Sequence, residues 1–174
     1  MKKISIRPSF VDFTAKDRIY IDKTKEINDL LETGQVFIAR PRRFGKTLML
    51  DTIAALFKYS VDPYFKGTWI YDKWKDEKYP VLRLDFLEFN SCSYEEFARR
   101  FISQIGYFAS ELNLAGYEGG NTCGSCFISL FRELNREGKQ IVILIDEYDT
   151  QLTANINNPE LYDKFREDTE ICCR

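Results

Sequence analysis

Val36-Phe37-Ile38-Ala39-Arg40-Pro41-Arg42-Arg43-Phe44-Gly45-Lys46-Thr47 is the stretch whose reading decides the fold. Val36 to Ala39 is an apolar run of strand length, the pattern of a parallel strand covered on both faces. Beyond Thr47, the residues Met49, Ile53, Leu56 and Phe57 share one helical face, and Pro63 limits that helix. The order is strand, loop, helix. A loop ending Gly45-Lys46-Thr47 in that setting is suited to phosphate, because backbone N–H groups and a helix N-terminus converge on one spot beside an ammonium and a hydroxyl. The full pattern is G-x-x-x-x-G-K-[ST], and Arg40 stands where its first glycine belongs.

A second feature answers the first. Ile141-Val142-Ile143-Leu144-Ile145 is apolar and mostly β-branched, and it runs straight into Asp146-Glu147, so it reads as a central strand with acids at its C-terminal end. Val81 to Phe86 reads as another strand. Ser93 and Glu96, in capping-box register, open a long helix with Phe97, Phe101, Ile105, Phe108 and Leu112 on one face. Phe127, Leu130, Phe131 and Leu134 mark a further helical face closed by Gly138, and Asn158-Pro159 opens a last helix with Leu161 and Phe165 inward.

Upstream, Thr24 is expected to cap a short helix carrying Ile27, Leu30 and Leu31, stopped by Gly34. The segment to about Asp22 reads as irregular with short strands, and residues 60–80 as a loop-rich insertion. Strands separated by helices predict an α/β fold, a parallel sheet with helices on both faces and ligands at the carboxyl ends of the strands. The Lys46 loop and the Asp146-Glu147 pair both fall at that edge. One domain is expected, with residues 1–34 as lead-in and helix and 35–174 as the core.

The 25 basic and 27 acidic residues give a net charge of −2, which offers no chain-wide attraction to nucleic acid or to an anionic membrane. Any anion site must be local. Arg7, Pro8 and Asp12 interrupt the start before an export signal can form, and no run approaches a membrane span. The expected location is the cytoplasm, with the five cysteines reduced. The absence of histidine excludes Ser-His-Asp and Cys-His catalysis and imidazole-based zinc sites.

For a bound nucleoside triphosphate, Lys46 would bridge the β- and γ-phosphates, and Thr47 and Asp146 would ligate Mg²⁺. Glu147, one residue further, would orient or deprotonate the attacking water. The nucleotide-binding candidates are Arg42, Arg43, Phe44, Gly45, Lys46, Thr47 and Leu48, and the catalytic candidates Glu147 and Lys46. The bland alternatives are a solvated lysine after a loop glycine and a strand end meeting water. Order and placement together favour the nucleotide site.

With Tyr20-Ile21-Asp22-Lys23-Thr24, Arg40 to Leu48 and Ile145-Asp146-Glu147-Tyr148-Asp149 quoted together, the chain resembles the bacterial AAA-ATPase-like family, whose members usually carry a PD-(D/E)XK nuclease-like domain after the ATPase part. In that family R-P-R-R-F-G-K-[ST] is the usual Walker A loop, so Arg40 is typical. The resemblance covers essentially the whole chain. It implies a P-loop NTPase core of the additional-strand class, with ATP and Mg²⁺ as ligands and hydrolysis through Lys46, Thr47 and the Walker B acids Asp146 and Glu147. The chain departs from the family pattern by stopping at Arg174, one helix after those acids, without a sensor strand or nuclease-like domain. It is therefore expected to be an N-terminal fragment with an incomplete sheet. The alternative is a nucleotide-binding or interaction module without turnover. Expected partners are ATP and a protein or a second copy, with nucleic acid only through the absent nuclease-like domain and no membrane.

Several other residues allow competing readings. Arg40, Arg42 and Arg43 can contact phosphate bidentately or stabilise charge in a neighbouring subunit, against a solvated basic loop. Asp22-Lys23-Thr24 reads as a helix cap, with flanking the nucleotide base as the second option. Cys123-Gly124-Ser125-Cys126 has redox-dithiol spacing in a glycine-rich connector, and a zinc site would need two more ligands from Cys92, Cys172 or Cys173. Glu137-Gly138-Lys139 has the E-x-K spacing of a nuclease but lacks a preceding Pro-Asp pair, and a helix C-cap explains it.

Overall fold

The computed structural model describes residues 9–15, 20–38, 44–88 and 93–173. In chain order the elements are α1 (Phe10–Ala15), α2 (Thr24–Leu31), α3 (Lys46–Tyr59), β1 (Val81–Asp85), α4 (Tyr94–Glu111), α5 (Cys123–Glu137), β2 (Val142–Asp146), α6 (Thr150–Ala154) and α7 (Pro159–Cys173). They divide into two compact units, residues 1–81 and 82–174.

In the first unit, α1 packs on α3 around Phe10, Ala55, Leu56, Phe65 and Ile70. The segment before Asp22, expected to be irregular with short strands, contains a helix instead. Ser9 and Asp12 cap it reciprocally: the Asp12 amide donates to Ser9 Oγ (3.2 Å), and Ser9 Oγ donates to Asp12 Oδ2 (3.0 Å). Phe10 then turns inward, with ring centroids 4.5 Å from Phe65 and 5.0 Å from Tyr20. Thr24 is not the cap of α2. Lys23 holds that position without a side-chain bond, and Thr24 is buried, its amide and hydroxyl both donating to Asp22 Oδ1 at 2.9 and 2.7 Å. Asp22 Oδ2 accepts from the Trp69 amide (2.6 Å) and Thr24 Oγ1 from the Ile70 amide (3.2 Å). The insertion at 60–80 is turn-rich as expected, and these bonds tie it to the start of α2. Val36 to Ile38, expected in a strand, lie outside any strand, and Ala39 lies outside the described residues.

The second unit is built on a parallel pair, β1 beside β2. Helices were expected on a larger sheet, but two strands are the whole sheet among the described residues. Its core joins Leu82 and Leu84 of β1 to Phe97, Phe101, Ile105 and Phe108 of α4, Phe127, Leu130 and Leu134 of α5, and Phe165 of α7. Each large side chain so buried contributes on the order of 2 kcal/mol. Ser93 caps α4 as the sequence indicates, its Oγ accepting from the Glu96 amide at 3.3 Å. Phe131 departs from its expected inward position: it is 41% exposed, stacked on Phe127 at 5.6 Å. The Cys123-to-Cys126 stretch is also not a connector. It is the first turn of α5, capped by Thr122, whose Oγ1 accepts from the Ser125 amide while Ser125 Oγ accepts from the Thr122 amide.

Candidate functional site

Gly45 is the N-cap of α3 with φ 75°, a left-handed conformation that glycine adopts without steric cost. A Cβ there would meet nothing within 4 Å, so the backbone angle rather than space calls for glycine. Lys46, Thr47 and Leu48 form the first helical turn. Their amides belong to the group that a helix leaves without intrahelical acceptors, and no acidic side chain of that turn competes for them. Thr47 and Phe44 are exposed, and Lys46 and Leu48 half-buried. The helix behind them is fixed by buried Met49, Thr52, Ile53 and Leu56, with Thr52 Oγ1 donating to the Leu48 carbonyl (2.8 Å) and hydrogen-bonded to the Tyr20 hydroxyl. Arg40, Arg42 and Arg43 lie outside the described residues.

In the second unit, β2 ends on Asp146, which is 3% exposed. Its Oδ1 accepts from the Glu147 amide at 3.1 Å, its carbonyl accepts from the Phe86 amide at 3.0 Å, and Arg83 Nη2 of β1 stands 3.8 Å from its Oδ2. Glu147 is half-buried and adopts φ 51°, a left-handed conformation uncommon for a residue with a Cβ and costing on the order of 1 kcal/mol. Its carbonyl accepts from the Thr150 amide (3.0 Å), which starts α6 directly behind it. The two acids thus sit at a strand end on a sharply turned backbone.

The loop and the acids belong to different units. Among the described residues, no group of three or more His, Cys, Asp or Glu side chains could hold a metal. A hydroxyl and a carboxylate are nonetheless the hard oxygen donors that magnesium takes when it keeps water and phosphate oxygens as its other ligands. Each unit offers one such donor, the Thr47 hydroxyl in the first turn of α3 and the Asp146 carboxylate at the end of β2.

Arg83 is the residue that sequence reasoning passed over. A charged residue inside Val81-Leu82-Arg83-Leu84 was the available signal, because an arginine within a strand otherwise apolar at that point needs a partner. Cys123 and Cys126 are buried and form no disulfide, burial pushes the Cys126 thiol up, and its Sγ donates to the Gly120 carbonyl at 3.3 Å. Glu137 and Lys139 pair at 2.7 Å around Gly138, the left-handed C-cap of α5, as the E-x-K spacing was read. No helix among the described residues is long and apolar enough to cross a membrane.

A glycine-led helix start and a strand ending in two acids lie in a mixed α/β protein with a small parallel sheet. The chain belongs to the family described as "Predicted AAA-ATPase", whose profile matches residues 4–172. It is similar to a protein of Azotobacter chroococcum mcd 1 described as an uncharacterized protein in the vnfD 5′ region, 32% identical over 154 residues. That match covers 87% of this chain and 29% of the relative's length. No solved structure matches the chain.

Proposed function

We infer that this chain forms the nucleotide site of a magnesium-dependent ATPase with a P-loop core. The observation that carries the reading is Gly45, which turns the chain at φ 75° into a helix opening with Lys46 and Thr47, in a member of an AAA-ATPase-like family. Lys46 is the partner of the β- and γ-phosphates of ATP, with the first-turn amides of α3 and the guanidinium groups of Arg42 and Arg43 around them. Thr47 and Asp146 would hold magnesium, which when bound neutralises charge on the phosphates. Glu147 takes a proton from water as the water oxygen bonds to the γ-phosphorus and the bond to the ADP oxygen breaks, giving ADP and inorganic phosphate.

Two substitutions test this. Lys46→Ala should weaken ATP binding by about tenfold or more, and Glu147→Gln should keep ATP binding while cutting phosphate release by about a hundredfold. Wild-type protein that binds ATP and releases no phosphate would make it a binding module. ATP affinity unchanged in Lys46→Ala would remove the nucleotide site altogether.

A further inference from the structure

We propose that the base of the bound nucleotide packs on Ile21, so that residues 20–22 form the base-side wall of the site whose phosphates lie at the start of α3. The proposal rests on the reading of that helix start as an ATP site. Ile21 is 74% exposed. A solitary exposed isoleucine is ordinary on a protein surface, and what sets this one apart is that both of its neighbours are anchored. Tyr20 turns inward, its ring 5.0 Å from that of buried Phe10 and its hydroxyl hydrogen-bonded to Thr52 of α3 and to the Lys23 amide. Asp22 is tied by the Thr24 amide and hydroxyl at 2.9 and 2.7 Å and by the Trp69 amide at 2.6 Å. The backbone between them is held from both sides and presents the isoleucine to solvent.

The anchor on α3 relates this wall to the phosphates. Thr52, Leu48 and Gly45 follow one face of the helix at spacings of four and three residues, and Thr52 Oγ1 donates to the Leu48 carbonyl at 2.8 Å. The helical rise puts the Tyr20 hydroxyl about 10 Å along that face from Gly45 and the first-turn amides. In a nucleoside triphosphate the ribose separates the base from the phosphates, so the base rests at some distance from the amides that hold them. The face of a purine is flat and largely apolar, and a β-branched aliphatic side chain covers it through excluded water and dispersion. Ile21 offers that surface from a backbone that needs no ordering when the ligand arrives.

Titration calorimetry on the full chain with Mg²⁺ compares ATP with inorganic triphosphate, which has the phosphates and no base. Ile21→Ser should weaken ATP binding about fivefold to tenfold and leave triphosphate binding unchanged. A second measurement needs no variant: in the wild type with ATP, nuclear Overhauser contacts should join the Ile21 methyl groups to the adenine protons. Unchanged ATP affinity in folded Ile21→Ser, equal losses for ATP and triphosphate, or no methyl contact at saturating ATP overturns the proposal. If the wild type binds neither ligand, or Lys46→Ala binds both as well as wild type, the nucleotide-site reading itself fails. Weakened binding of both ligands in Lys46→Ala with no response at Ile21 sinks only the base wall.

Discussion

The backbone amide of Gly116 donates to Glu133 Oε1 at 2.8 Å, and Arg136 closes on the same carboxylate through Nε (2.7 Å) and Nη2 (2.5 Å). Glu133 is buried on α5, and these donors are what make a carboxylate tolerable there. The Arg136 guanidinium, prevailing over burial and helped by the Gly116 amide, holds the Glu133 carboxyl down at about 2. A depressed folded-state value gives stability that is present above 4.5, the ordinary value, and lost as pH falls towards about 2. Urea midpoints measured from pH 6 to pH 2 should therefore fall more steeply for wild type than for Glu133→Gln. Parallel curves would refute the coupling. Gly116→Ala should lower the melting temperature by about 5 °C, since its Cβ would lie 2.5–2.7 Å from the clamped carboxylate.

Asp168 is the opposite case. It is buried on α7, accepts from the Tyr94 hydroxyl at 3.0 Å and is hydrogen-bonded to the Cys123 side chain. Burial dominates and raises its carboxyl above 3.8, and burial together with the Asp168 charge pushes the Tyr94 hydroxyl up to about 12. With the folded value raised, the contribution to stability is full below 3.8 and is lost as pH rises through the folded value. Asp168→Asn keeps an acceptor for Tyr94 and removes the buried charge. Its melting temperature should match wild type near pH 4 and exceed it by a few degrees at pH 8. A deficit at pH 8 would show that the charge itself is needed there.

The helices of the second unit were legible because their apolar residues repeat at helical spacing and their ends carry Ser93, Gly138 and Asn158. Asn158 Oδ1 accepts from the Leu161 amide (3.3 Å) as a cap should. β1 and β2 were equally plain as short apolar runs. The first unit resisted reading because its order comes from contacts distant in sequence. Nothing local to Asp22 announces that it accepts from Trp69, 47 residues away. Thr24 has the chemistry of a cap, and a stronger local acceptor, Asp22, took its hydroxyl inward. At the candidate site, Gly45-Lys46-Thr47 and Asp146-Glu147 stand out by residue type; α3 starts and β2 ends where the sequence puts them, while Val36 to Ile38, expected as the strand before the loop, form none. Arg83 stood out as a charge in an apolar run, but that it lies beside Asp146 follows from strand pairing, which no periodicity specifies.

Asp22 carries a prediction of its own. Burial raises its carboxyl, and the amide and hydroxyl of Thr24 with the Trp69 amide outweigh that and leave it lowered. Asp22→Ala would take the acceptor from the buried Thr24 hydroxyl proton and from the Trp69 amide and loosen the insertion, at a cost of about 1–3 kcal/mol in urea unfolding. Asp22→Asn keeps one acceptor oxygen and should fall between the two. Equal stability of all three proteins would mean that the insertion is held without Asp22, by Phe65, Ile70 and the Ile70 amide bond to Thr24.

Gly45 and Gly138 make a matched pair. Both hold left-handed backbone, φ 75° and 64°, at a helix end, and a Cβ on either meets nothing within 4 Å. Alanine at either position should therefore cost a similar amount, about 1 kcal/mol, from the backbone alone. Their consequences for ligand binding should differ. Gly45→Ala tilts the first-turn amides of Lys46, Thr47 and Leu48, so binding of a fluorescent ATP analogue should weaken by about tenfold if those amides hold phosphate. Gly138→Ala lies at the C-terminal end of α5 and should leave that affinity unchanged. Equal losses of affinity in the two variants would trace the effect to general destabilisation, and no loss in either would take phosphate away from the start of α3.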